Sequence, residues 1–99
     1  MFKFEIFAGL ADASGDNSPQ TVSINRDKLR HICDVALKGY TWQEVSGRWH
    51  SYEEPSVIVT YIADYDAEQL VRNAAGLYKD AASQESVLVT KQQIDGGFV

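Results

Sequence analysis

Between Gly39 and His50 the chain gathers both tryptophans, Trp42 and Trp49, one of its two histidines, an arginine and a glutamate, with Glu53 and Glu54 close behind. Such residues suit a binding or catalytic surface. His50 with Glu54, or with Glu85 further on, would make the histidine–carboxylate pair that general acid–base catalysis uses. Arg48 offers a forked donor set for a carboxylate or other anion. Trp42, Trp49, Tyr52 and Tyr61, with Phe7 from the N-terminal segment and Glu44 beside them, form a candidate contact surface for a ligand or partner.

Other chemistries lack their signatures. There is no His-Glu-x-x-His spacing, so no metal is expected, and no Gly-x-Gly-x-x-Gly, Walker or nucleophile-elbow pattern points to a cofactor or phosphate. The single cysteine, Cys33, lies on an apolar stripe and reads as a small hydrophobe rather than a nucleophile. His31 lies at the edge of the same helix.

Composition narrows the partners. The net charge is −5, and the nine basic residues are scattered, which argues against nucleic acid, a partner that demands a basic patch. An apolar fraction of 44% with 23% charged residues is ordinary for a folded domain. No window approaches the roughly 20 apolar residues of a membrane span, and Met1 to Phe7 is not a signal peptide. A cytoplasmic location, no membrane and one domain over residues 1–99 are expected.

The elements that must position these residues follow from periodicity. Phe2, Phe4, Ile6 and Ala8 alternate with Lys3, Glu5 and Phe7, a strand pattern. Residues 11–19 read as a mobile loop. Asn25 is the expected N-cap of a helix whose stripe is Leu29, Ile32, Cys33, Ala36 and Leu37, with Gly39 as its C′ residue. Tyr40 to Trp49 is a strand with a suspected bulge at Gly47, Ser51 to Pro55 a turn, and Val57 to Ala63 the partner strand. Asp66 would cap a second helix with the stripe Leu70, Val71, Ala74, Leu77, Tyr78 and Ala81. Gly76 within it costs about 1 kcal/mol against alanine, unless a close contact needs it. Ser86 to Thr90 is a last strand, and residues 95–99 a tail.

The order β-α-β-β-α-β specifies a ferredoxin-like α+β fold, with both helices on one face of a four-stranded antiparallel sheet. Val57 to Ile62 is apolar on both faces, so the second face needs cover from another subunit, a ligand or the tail. A homo-oligomer, a dimer in the first instance, is expected. Regular alternation sends Trp42 and Trp49 to opposite faces, and a bulge at Gly47 would bring them together.

Gly9-Leu10, Gly39-Tyr40-Thr41, Gly47-Arg48-Trp49, Glu54, Tyr78 and Gln84-Glu85-Ser86-Val87 together resemble the pattern of a family of small bacterial and phage-borne α+β proteins, known as a domain of unknown function. Tyr40 replaces the leucine usual there. The resemblance implies a ferredoxin-like fold, dimer-type assembly and a phage origin, and brings no chemistry with it.

Three functions are in play. The first is a non-enzymatic binding protein that holds a small molecule or a protein through the open sheet face and hairpin arm. The second is a phage-encoded inhibitor that sequesters a host defence component. The third is a small acid–base enzyme using His50 with Glu54 or Glu85. An enzyme requires His50 in a pocket beside a carboxylate. A binding oligomer requires the arm's aromatics in a cleft or against a second subunit.

Overall fold

The computed structural model describes the chain from Met1 to Val99, apart from the side chain of Trp49, which lies outside the described residues. Six elements follow in order: β1 (Phe2–Gly9), α1 (Pro19–Ala36), β2 (Thr41–Trp49), β3 (Tyr52–Ala63), α2 (Glu68–Ala81) and β4 (Leu88–Gln93). The strands form one antiparallel sheet in the order β2-β3-β1-β4, the ferredoxin-like arrangement that the element order specifies.

Alternation decides what each face holds. Phe4, Ile6 and Ala8 of β1, and Val57, Val59 and Ala63 of β3, lie buried under the helices. There they meet Val22, Leu29 and Cys33 of α1 and Val71, Ala75 and Tyr78 of α2. Burying each large member contributes about 1.5–3 kcal/mol, and a one-residue slip would turn every one of them outward. Register is therefore strongly fixed. Burial, followed by the nearby Asp34 charge, pushes the Cys33 thiol up to about 11, which suits an inert core residue.

Helix α1 starts seven residues earlier than Asn25 implies. Ser18 is its N-cap, accepting from the Thr21 N–H at 3.3 Å, and Pro19 takes the first turn, where a missing N–H costs nothing. Asn25 is instead a buried polar residue inside the helix. The helix ends at Ala36 with an extended Leu37 as C-cap, so Gly39 lies beyond the cap. The loop before α1 is organised by Asp12, whose carboxylate accepts from the Ser14 and Asp16 N–H groups at 3.0 Å each. In α2 the Asp66 carboxylate accepts from the Glu68 N–H at 3.1 Å although Ala67 occupies the cap position. Val71, Ala74, Ala75 and Tyr78 are its buried stripe, Leu77 is 60% exposed, and a Cβ added at Gly76 would meet no neighbour outside the helix backbone within 4 Å, so no close contact needs the glycine.

The hairpin also differs from the sequence reading. Its turn is His50-Ser51, with φ of +50° and +68°, which is the positive-φ pair of a two-residue turn. Pairing from Thr41↔Thr60 to Trp49↔Tyr52 is unbroken, so Gly47 forms no bulge. Gly47 instead faces Ser56, whose Oγ would lie 3.0 Å from an added Cβ. Pro55 sits inside β3, where its carbonyl accepts from the Leu10 N–H at 2.9 Å. Its ring nitrogen thus points to the β1 side, just past the last β1–β3 pair, Gly9↔Ser56, and no β2–β3 bond is lost. Strand β4 starts at Leu88, two residues later than expected.

Candidate functional site

Where β1 ends, the open sheet face, the hairpin arm, the Asp12–Asn17 loop and the residues before β4 enclose a cleft of about 1000 Å3. Its floor is apolar, with Phe7, Val45, Ile58 and Leu88, and its acids are Asp12, Glu53, Glu54 and Glu85 against one base, Arg48. That makes it an anionic site with an apolar shelf.

Glu54 is the best-defined of those acids. On β3 it projects over Gly9 of β1, where a Cβ added to the glycine would lie 2.0 Å from the Glu54 Oε1. The missing side chain at position 9 is therefore the space that the carboxyl fills. Burial raises the Glu54 carboxyl above its ordinary range, and a hydrogen bond from the Ala11 N–H partly offsets that rise. Tyr78, fully buried on α2, donates its hydroxyl to the Gly9 carbonyl, and burial followed by the Glu54 charge raises its phenol. Gln84 donates its side-chain amide to the Ala11 carbonyl.

The sequence candidates divide between two places. Phe7, Arg48, Tyr52, Glu54 and Glu85 all line the cleft. Arg48 also donates to the Ser51 carbonyl of its own hairpin at 3.3 Å. With no bulge to change the parity, Trp42, Glu44 and Tyr61 face the helices. Trp42 lies under the Arg30 guanidinium, 4.5 Å from its ring centroid, and donates to Glu44 at 2.7 Å. Glu44 in turn binds Arg26 of α1 at 2.9 Å. Tyr61 is buried among the core residues. His50 occupies the exposed hairpin turn and is not among the described residues lining the cleft, while Glu54 lies three strand steps, about 10 Å, further along β3. The Trp49 side chain lies outside the described residues. Among those residues no cluster of His, Cys, Asp and Glu could hold a metal ion.

Inspection for costly side chains overlooks Gly9, Asp12 and Gln84 of the cleft, and the Ala11 N–H and Tyr78 beneath it. Gly9, Glu54, Tyr78 and Gln84 do occur among the short motifs quoted above, and the fold brings these four scattered positions to one place. Among the described residues, no helix is long and apolar enough to cross a membrane.

The fold and cleft define a small α+β domain with an open, acidic ligand-sized recess. No family model and no curated protein matches the chain. Solved structures do match. One is a phage SAM lyase in complex with S-methyl-5′-thioadenosine, 17% identical, TM-score 0.57, covering 93% of this chain and 80% of that one. Another is a nitrogen regulatory PII-like protein from Thiomonas intermedia K12 bound to ADP, AMP and bicarbonate, 18% identical, TM-score 0.59, covering 99% and 93%. A de novo designed protein matches equally well, 12% identical with a TM-score of 0.60, covering 95% and 98%. At these identities the likeness establishes the fold alone, which can host many functions.

Proposed function

We propose that the chain is a small-molecule-binding protein whose cleft takes a compact cation carrying an aromatic or apolar body, with sulfonium nucleosides of the S-adenosylmethionine type as the class that fits best. The observation that carries this reading is the Glu54 carboxyl seated over Gly9 in a recess with four acids and one base. A partly desolvated carboxylate attracts a cation far more than one in bulk water does. The floor of Phe7, Val45, Ile58 and Leu88 suits a flat apolar body. Two neighbours of the same fold carry adenine nucleosides or nucleotides by their printed descriptions, which favours an adenosine moiety. The protein works as a homo-oligomer in this reading, because Phe7, Ile62 and Leu88 leave apolar surface on the sheet's second face. A phage setting fits the same ligand class, since one neighbour is a phage enzyme.

A second reading is that the cleft also turns its ligand over, and the raised Glu54 carboxyl favours it. A carboxylate tuned towards neutral pH is a better base than an ordinary one. Glu54 would take a proton from the carbon next to the one bearing sulfur, a carbon–carbon double bond would form, and the carbon–sulfur electron pair would leave on sulfur as the neutral thioether.

Titration calorimetry with S-adenosylmethionine, its neutral thioether S-adenosylhomocysteine and methylthioadenosine tests the first reading. The sulfonium should bind tightest, and Glu54→Gln should weaken it about 10- to 100-fold, the range for a charge-assisted contact. Equal affinity for charged and neutral compounds, or binding of neither, would sink it. Chromatography of the same mixtures for released methylthioadenosine decides the second.

A further inference from the structure

Arg48 sits oddly in a cleft proposed to take a cation. It is the one base among the acids Asp12, Glu53, Glu54 and Glu85, and a guanidinium repels a sulfonium unless the ligand brings an anion of its own. In the β2–β3 register Arg48 stands directly opposite Glu53. Residues so placed on antiparallel strands are close enough for opposite charges to pair. These two turn aside instead. The Glu53 Oε1 accepts from the Ser46 hydroxyl at 2.7 Å, and Arg48 spends a donor on the Ser51 carbonyl at 3.3 Å. Arg26, Arg72 and Lys91 hold carboxylates and Arg30 lies over Trp42, whereas among the described residues the Arg48 fork meets no acid. A plain salt bridge of the cleft rim would have joined the two heads. Here a cation and an anion stand side by side, each steadied by a neutral group, with most of the guanidinium donors unspent.

Strand β1 ends at the Gly9↔Ser56 pair, so Tyr52, Glu53 and Glu54 run on as a free edge of the arm. Successive side chains leave that edge on opposite sides, and all three line the same cleft. An α-amino acid head group has the matching chemistry, a carboxylate and an ammonium on one carbon. The planar carboxylate suits the forked guanidinium, and the ammonium suits the glutamate.

We propose that Arg48 and Glu53 form a subsite for the head group of an α-amino acid, the guanidinium taking its carboxylate and the glutamate its ammonium. This subsite deepens the reading of the cleft as a sulfonium site and rests on it. Glu54 holds the sulfur end, and the flexible chain between sulfur and α-carbon carries the head group round the arm's edge.

Calorimetry of the full chain compares S-adenosylmethionine with its decarboxylated analogue, which keeps the sulfonium and the ammonium but lacks the carboxylate. The sign of one substitution decides. Arg48→Gln should weaken S-adenosylmethionine about tenfold, the loss of one charge-assisted contact, and should tighten the decarboxylated compound, because a repelling charge is gone. Weaker binding of both would make Arg48 a support of the hairpin, and tighter binding of both would show that no carboxylate reaches it. Either result overturns the subsite. Glu53→Gln should weaken both compounds, and unchanged affinities would remove Glu53 from it. The sulfonium reading fails differently: S-adenosylhomocysteine, a neutral thioether with the same head group, would then bind as tightly as the sulfonium while the Arg48 discrimination persisted. Should no adenosyl compound bind, L-methionine is titrated while NMR follows the Arg48 Nε–H signal, assigned through Arg48→Gln. A shift that L-methionine methyl ester does not reproduce would uphold the subsite for a free amino acid. No shift, or the same shift with the ester, would overturn it.

Discussion

At Glu54, the proposed function and the stability of the fold pull against each other. The pocket over Gly9 withdraws the carboxyl from water and raises it above the ordinary 4.5. The unfolded chain thus ionises first, and the folded chain binds more protons in the interval above 4.5. Stability contributed by this group is lost as pH climbs through that interval, and the loss persists at neutral pH. Glu54→Gln keeps an acceptor for the Ala11 N–H and removes the charge. It should raise Tm at pH 7 and leave it unchanged well below pH 4, as thermal melts of both proteins across pH would show. A lower Tm at pH 7 would mean that the carboxylate is better compensated than its burial indicates. Such trade-offs are common where a site needs an uncomfortable group. The lining of the candidate cleft was legible in the sequence where it rests on side chains, as with Glu54 and Arg48. It was illegible where it rests on backbone, since the Ala11 N–H looks the same in any residue.

Among the elements, the hairpin and α1 show where periodicity stops informing. The strands and the stripe of α1 could be read from alternation and three-to-four spacing, because burial enforces both. Caps and turns could not. Ser18 and Asn25 are both cap-forming types, and only the Leu10 carbonyl waiting inside distinguishes the buried one. Gly47 attracted a bulge that the ladder does not contain, while the real turn uses two residues that resist positive φ. His50 and Ser51 adopt left-handed conformations that cost a non-glycine residue about 1 kcal/mol each. Ser51→Gly should therefore stabilise the protein by about 1 kcal/mol in urea unfolding, with an unchanged denaturant slope. A loss of stability instead would mean that glycine's extra freedom in the unfolded chain outweighs the relieved turn.

For the whole molecule, the sheet's bare second face is the dominant fact. Phe7 is 37% exposed, Ile62 38% and Leu88 59%, on a chain of 11.0 kDa whose longest dimension is 41 Å. Native mass spectrometry should find at least twice the chain mass, and a monomer at micromolar concentration would refute the homo-oligomer. Ile62→Lys on that face should shift the population towards monomer while leaving the helical signal intact. The grip on the β1 exit has a different consequence, one of time. Tyr78 reaches Gly9 across 69 positions and Gln84 reaches Ala11 across 73. Contacts so distant along the chain form late in folding. During synthesis, neither grip can close until Tyr78 and Gln84 have emerged from the ribosome. A product cut short before Tyr78 would carry Gly9 and Glu54 without either grip to hold the β1 exit against the helices.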